Sequence, residues 1–397
     1  MMSDPSRLKL ESTHQMATSG HNRRFAFMTI GPFSGINAQV LQRLRTEFPE
    51  LEADEIDIPT WVRAHRGIVI RNLVYVLGEH GPAIFLDRTR LWGAFFRTPY
   101  MFERIHRAMN DRFAGERYEF SLQTQSLFDG SGAGVPHFVY TDHTELVHRY
   151  YPDYDPGVSP PEKWLELERS IYEHADLTFT MSSNVSRSLA EHYSVDPARV
   201  RCVLAGSNVA AENGSTREPA YASKQILFVG RQWERKGGPD LVAAFQLVRR
   251  RHPDASLVIA GCSPALQCEG VEVLGELPAR SLNEQYASAA VFCMPSLVEP
   301  FGIVFIEALS HGLPVVATSI GALPDIVQDG QTGYLHPPHD VKGLADSLGK
   351  LLDDPDLCRT LGERGRAYVS ERYTWSRAVG TIAAHIRSVG AGPARTV

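Results

Sequence analysis

Glu299 and Glu307 bracket the segment Pro-Phe-Gly-Ile-Val-Phe-Ile, where a predicted strand ends near Ser296 and a helix starts at about Ile303. In open α/β sheets, ligands bind where strands end and helices begin. The unpaired N–H groups of Gly302, Ile303 and Val304 would attract an anion there, and glycine at 302 lets a phosphate approach the backbone. Glu307 is a lone acid in an otherwise apolar run, and burying an unpaired carboxylate is costly. It therefore needs a hydrogen-bonding partner, such as a ligand hydroxyl. On a plainer reading, Glu299 is a helix-start acid favoured by the macrodipole and Glu307 a solvated edge residue. A second cluster is Phe228-Val-Gly230-Arg231-Gln-Trp-Glu-Arg-Lys236-Gly237-Gly238. Its strand ends at Gly230, and Arg231 and Lys236 are expected on the exposed loop that follows. A guanidinium fork and an ammonium point charge suit a diphosphate. An ordinary solvated loop would carry the same residues.

The elements around these clusters read as alternating strands and helices. Arg23–Ile30 has strand length, breaks at Gly31-Pro-Phe-Ser-Gly35, and leads into a helical pattern from Ala38. Strand-like runs recur at Leu73–Leu77, His137–Tyr140, Leu177–Met181 and Val200–Leu204, with helices at Pro161–His174 and Val185–His192. Ala210–Lys224 has almost no large aliphatic residue and reads as an interdomain connection. Beyond it, buried parallel strands are expected at Ile226–Val229, Ser256–Ala260, Val271–Leu274, Ala290–Met294 and Pro314–Thr318. Helices fit Asp240–Arg251, Ala279–Ala289 and Ile303–His311, and Asp340 caps an amphipathic helix with Val341, Leu344, Leu348, Leu351 and Leu352 on one face. The fold class is α/β, with two Rossmann-type layers.

A length of 397 residues fits two domains. A net charge of −6 argues against a nucleic-acid partner. Five cysteines without a CxxC pair make neither a disulfide scaffold nor a zinc site. No apolar run is long enough to span a membrane. Met1–Asn22 is polar, reads as a flexible tail and lacks a signal-peptide core, so a cytoplasmic location is expected. Gly130-Ser-Gly132-Ala-Gly134 resembles a dinucleotide loop but precedes a strand instead of following one. The acid pairs Asp153/Asp155 and Asp354/Asp356 suit turns better than a metal site. The fifteen histidines include no HExxH spacing, so no metal is expected.

Gly230-Arg231 followed by Lys236-Gly237, the Glu299–Glu307 segment, Gly312-x-Pro314-Val-Val-Ala, Gly321 ahead of Asp325-Ile-Val, and Gly330-x-x-Gly333 stand in order between Gln225 and Ser388. Together they resemble the family 4 retaining glycosyltransferases (glycosyl transferases group 1). The resemblance implies the GT-B architecture, two Rossmann-like domains facing a cleft. It divides the chain into a tail (1–22), an acceptor-binding domain (23–209), a linker (210–224), a nucleotide-sugar-binding domain (225–372) and a C-terminal helix crossing back (373–397). It implies a nucleotide-diphosphate sugar as donor, a hydroxyl acceptor, and neither metal nor cofactor. By the same resemblance, Arg231 and Lys236 hold the donor diphosphate and Glu307 the ribose. Glu299 and the backbone at Phe301, Gly302, Ile303 and Val304 hold the transferred sugar and phosphate. Gly35 occupies the family's glycine-rich first loop. Val139-Tyr-Thr-Asp142-His143-Thr resembles the strand-end histidine beside the reacting sugar, acting through its side chain or its backbone carbonyl. Two other readings share the architecture: a non-catalytic nucleotide-sugar sensor, and a phosphorylase or epimerase, the former of these two needing a pyridoxal-phosphate lysine. Residues 88–107 interleave arginines with aromatics, which suits peripheral contact at the inner membrane face or, alternatively, an apolar helix face with snorkelling arginines.

Overall fold

The computed structural model describes residues 23–31, 33, 35–86, 88–132, 134–152, 154, 162–207 and 219–390. The expected tail at 1–22, most of the 210–224 connection, Asp153 and Asp155 lie outside the described residues.

The first half carries strands β1 (Arg24–Thr29), β2 (Glu52–Asp57), β3 (Tyr118–Thr124), β4 (His137–Thr141), β5 (Leu177–Thr180) and β6 (Val200–Cys202). They form one parallel sheet in the order β2-β1-β3-β4-β5-β6. The second half carries β7 (Gln225–Val229), β8 (Ser256–Ala260), β9 (Val271–Gly275), β10 (Val291–Met294), β11 (Val315–Thr318) and β12 (Gly333–His336). Their order is β12-β11-β10-β7-β8-β9, again all parallel. The order in which successive strands are added reverses once in each sheet, between β1 and β3 and between β7 and β10. Helices leave on opposite faces at such a reversal, so a crevice opens beyond the strand ends. The loops after β7 and β10 are the two sequence clusters.

Central strands are buried throughout: every residue of β4, β5, β10 and β11 is buried. Asp340 caps the helix Val341–Asp353 by accepting from the Gly343 N–H at 2.9 Å, and Leu344, Leu348, Leu351 and Leu352 are buried as expected. One expectation fails. Leu73–Leu77 is not a strand but part of the helix Arg66–His80, which buries Ile68, Asn72 and Val76 at intervals of four. The β-branched run had suggested a strand, and the helical period of the buried positions overrides it. The edge strand β2 was not legible either. Its sequence, Glu-Ala-Asp-Glu-Ile-Asp, buries only Ile56, and such charge is how exposed sheet edges avoid pairing.

Several contacts among the described residues join the two halves. The helix Trp375–Gly390 lies along the helix Ile36–Glu47, where Arg387 donates to the Glu47 carbonyl at 2.6 Å and covers the Phe48 ring. Ser207 N–H donates to the Tyr373 carbonyl at 3.0 Å. The Asp325 carboxylate accepts from both the N–H and the hydroxyl of Ser183, each at 2.7 Å, at the start of the helix Ser183–Tyr193.

Candidate active site

In the second half, a cleft of about 570 Å³ opens beyond the ends of β7 and β8, bordered by Gly230, Arg231, Gly261, Glu276 and Val304. Arg231 is exposed there, and its guanidinium lies 3.6 Å from the exposed Glu276 carboxylate. Lys236 corrects the expectation of an exposed loop. The loop folds back through Lys236 N–H to Gln232 O and Gly237 N–H to Glu234 O, at 2.9 and 3.0 Å. That turn carries the Lys236 side chain beneath the β10 loop, where only 8 % of the residue is accessible. Its ammonium pairs with Glu299 Oε2, and the buried Ser296 hydroxyl donates to the same oxygen at 3.0 Å. Burial pushes the Lys236 ammonium pKa down, and the Glu299 charge opposes that shift.

Gly302 starts the helix Ile303–Ser310 with φ 91°, in the left-handed region. A side chain there would also press on Phe305, whose Cδ2 lies 2.8 Å from the position of an added Cβ. Phe301 is buried, while Ile303 and Val304 are partly accessible. Glu307 is half-buried, and its carboxylate accepts from the Tyr286 hydroxyl at 3.3 Å. Burial raises its pKa to about 7, with the Tyr286 hydrogen bond acting the other way. Tyr286 is itself buried and stacked on the His311 ring, centroids 4.8 Å apart. Among the described residues, the carboxylate thus has one long hydrogen bond from a side chain.

In the first half, β4 ends at Thr141 and delivers Asp142 and His143 to the same region. The His143 pKa falls to about 3 through burial first, then through His148, Arg97 and Arg235. Its imidazole is therefore neutral, and Nδ1 has no hydrogen-bond partner among the described residues. The carbonyl, one of the two contacts expected of this residue, already accepts from the hydroxyls of Thr141 at 2.7 Å and Ser126 at 3.2 Å. The ring is the free group. Gly35 lies at the start of the helix Ile36–Glu47 with φ 77°, after the loop that follows β1.

Three residues join the site that sequence reasoning did not place there. Asp142 is raised to about 7, chiefly by burial and further by the Glu299 charge from the other half. Tyr151 carries a buried hydroxyl without a partner among the described residues. An added Cβ at Gly321 would lie 3.1 Å from that hydroxyl and would collide with the Glu299 carbonyl oxygen, which is why this turn needs glycine. Arg235 donates to Val298 O at 2.7 Å and so fixes the loop bearing Glu299. Asp142 adjoins His143 in sequence and Arg235 adjoins Lys236, which is the signal that was available. Nothing local marks Tyr151.

The remaining candidates fall away. Gly130 and Gly132 are packed against Met28 and Asn110, leaving no room for a dinucleotide. Asp354 caps the helix Pro355–Arg372, and Asp356 in its first turn pairs with Arg359. Among the described residues, no group of three or more His, Cys, Asp or Glu side chains is placed to hold a metal ion.

Comparison with known proteins follows the same lines. The family model for "Glycosyl transferases group 1" matches residues 223–354. A glycogen synthase of Mycobacterium tuberculosis is 29 % identical over 236 residues, which cover 57 % of this chain and 55 % of that protein. The chain thus spans about half the length of this relative. An alpha-maltose-1-phosphate synthase of Mycolicibacterium smegmatis is 31 % identical over 278 residues, covering 61 % of this chain and 70 % of that protein. Among solved structures, a sucrose-phosphate synthase of Thermosynechococcus elongatus superposes with a TM-score of 0.65 at 21 % identity, over 92 % of this chain and 99 % of that one. The two parallel sheets are those of the GT-B architecture, as the sequence led us to expect.

Proposed function

The chain belongs to the glycosyl transferases group 1 family, and on that premise we propose that it moves a sugar from a nucleotide-diphosphate sugar to a hydroxyl acceptor. The transfer retains the anomeric configuration and uses no metal ion. One observation carries the reading: the buried Lys236–Glu299–Ser296 cluster stands between an exposed arginine and a glycine-started helix, at the strand ends of a sheet reversal.

In this reading the donor diphosphate lies between Arg231 and the N–H groups of Gly302, Ile303 and Val304, with the Gly35 loop approaching from the first half. Breaking the bond from the sugar's anomeric carbon to phosphate leaves negative charge on the diphosphate. Arg231, Lys236 and the helix start stabilise that charge in a water-poor site. The acceptor oxygen bonds to the anomeric carbon from the same face, and its proton passes to the departing phosphate oxygen. Lys236 and Ser296 both bind Glu299 Oε2, so Oε1 is the oxygen assigned to hydroxyls of the transferred sugar. Glu307 accepts from the ribose hydroxyls. His143, neutral and with a free Nδ1, hydrogen-bonds the transferred sugar through its ring.

The test is a thermal-shift screen with UDP, GDP and ADP and their sugars in excess EDTA, followed by a transfer assay with the donor that binds. Arg231→Ala should leave the fold intact, because the side chain is exposed, and cut transfer by about 10²-fold or more. Near-normal turnover in that variant would contradict the assignment.

A further inference from the structure

The exposed apolar side chains of this protein are concentrated in one place. Eight large hydrophobics are exposed among the described residues, and seven of them lie between Ile70 and Trp92. Ile70 and Val74 are each 65 % accessible, Leu86 is 90 % accessible and Trp92 50 %. A surface patch of this kind marks an interaction site.

The local structure explains why they cannot turn inward. The helix Arg66–His80 gives Ile68, Asn72 and Val76 to the core, and the Asn72 amide donates to Phe95 O at 2.7 Å, which ties it to the helix Arg88–Phe96. Ile70, Val74 and Leu77 follow one another at i, i+4 and i+7 on another face. A helix face meant for water is polar at such positions. Beside it, an apolar groove of about 290 Å³ runs between Val69, Leu73, Leu91 and Trp92. The charges around the patch are one-sided. Arg63, Arg66 and Arg71 are exposed on the same element or the one before it. Glu79 is the one exposed acid among the described residues 58–86, in a chain whose net charge is −6.

We propose that this surface, from Arg63 to Trp92, docks on the anionic face of a lipid bilayer. Apolar side chains flanked by arginines match acyl chains beneath acidic headgroups, and tryptophan favours that boundary. A second copy of the chain is a poorer occupant, because it would bring the same arginines together. No helix among the described residues is long and apolar enough to cross a membrane, so the contact is peripheral. The position also corrects the expectation of contact through 88–107. Met101, Phe102 and Ile105 point into the core of the first half, and the exposed apolar surface lies before them. Arg97, at the end of the Trp92 helix, pairs with Glu145 at 3.3 Å, and its charge acts on His143. The proposal stands independently of the transferase reading.

The experiment is co-sedimentation of the full chain with vesicles of phosphatidylcholine alone and of phosphatidylcholine with phosphatidylglycerol, at low and high salt. Binding should require phosphatidylglycerol and weaken with salt. It should be at least about tenfold weaker in the double variant Ile70→Ser, Leu86→Ser. Both positions are exposed, so the variant should keep the native thermal midpoint. Three results would overturn the proposal: no binding to the phosphatidylglycerol vesicles, equal binding to phosphatidylcholine alone, or undiminished binding by the folded variant. A concentration-dependent dimer that the variant abolishes would overturn it too, in favour of a second copy.

Discussion

Replacing Lys236 with methionine should destabilise the unliganded protein far more than a loop substitution would. The ammonium and the Glu299 carboxylate are both buried, with 8 % and 3 % of each residue accessible. Methionine matches the lysine stem in length but leaves Glu299 with only the Ser296 hydroxyl as a donor. Removing one partner of a buried ion pair costs about 3–5 kcal/mol. For a domain of this size 1 kcal/mol moves Tm by roughly 2–4 °C, so the transition should fall by roughly 6–20 °C. Glu299→Gln should also lower Tm, since it strands the lysine. The double variant Lys236→Met, Glu299→Gln removes both charges, so its loss should fall short of the sum of the single losses by about 1–3 kcal/mol. Differential scanning fluorimetry at neutral pH without ligand reads all four proteins. A Lys236→Met variant within about 2 °C of the parent would refute the buried pair.

Glu307 makes stability and binding pull apart. Its folded pKa of about 7 lies above the ordinary 4.5, so the native state keeps a proton that the unfolded chain loses, and stability falls as pH rises through about 7. Glu307→Gln should therefore raise Tm at pH above 7, with the gain vanishing at pH below the ordinary value. It should also weaken nucleoside-diphosphate binding by about 10- to 100-fold in calorimetry, as loss of a hydrogen bond to a charged group does. His143 is pushed the other way, from 6.5 to about 3, so its ring should show no titration by NMR between neutral pH and about pH 4. The unfolded chain binds its proton more readily, so this residue's share of stability is lost as pH falls below 6.5, and His143→Asn should flatten that loss. Asp325→Ala removes both bonds to Ser183 between the halves, so small-angle scattering of the unliganded protein should give a larger radius of gyration. An unchanged radius would mean that the other contacts suffice.

What could be read in the sequence was what local chemistry determines. Gly302 before an apolar helical run fixes a left-handed helix start, and an acid alone in an apolar run marks Glu307, because none of the residues beside it in sequence can satisfy it. The alternation of buried strands with helices led to two Rossmann-like layers for the same reason: both periods are properties of short segments. The partnership of Lys236 with Glu299 spans 63 residues and depends on a loop folding back, so the lysine appeared exposed. Tyr151 and Asp142 enter the site only because the halves face each other across the Gly321 turn. The run Leu73–Leu77 looked like a strand because exposed and buried aliphatics have the same letters. Only the fold separates the face that packs from the face that does not.

The most direct test of sugar transfer as proposed follows the donor by proton NMR in excess EDTA, with water as the acceptor wherever no better one has been found. Nucleoside diphosphate should be released without added metal. The first-formed sugar should keep the donor's anomeric configuration before it mutarotates, and Arg231→Ala should slow its appearance by about 10²-fold. An inverted first product, or release that occurs only when manganese is restored, would overturn retaining, metal-free transfer.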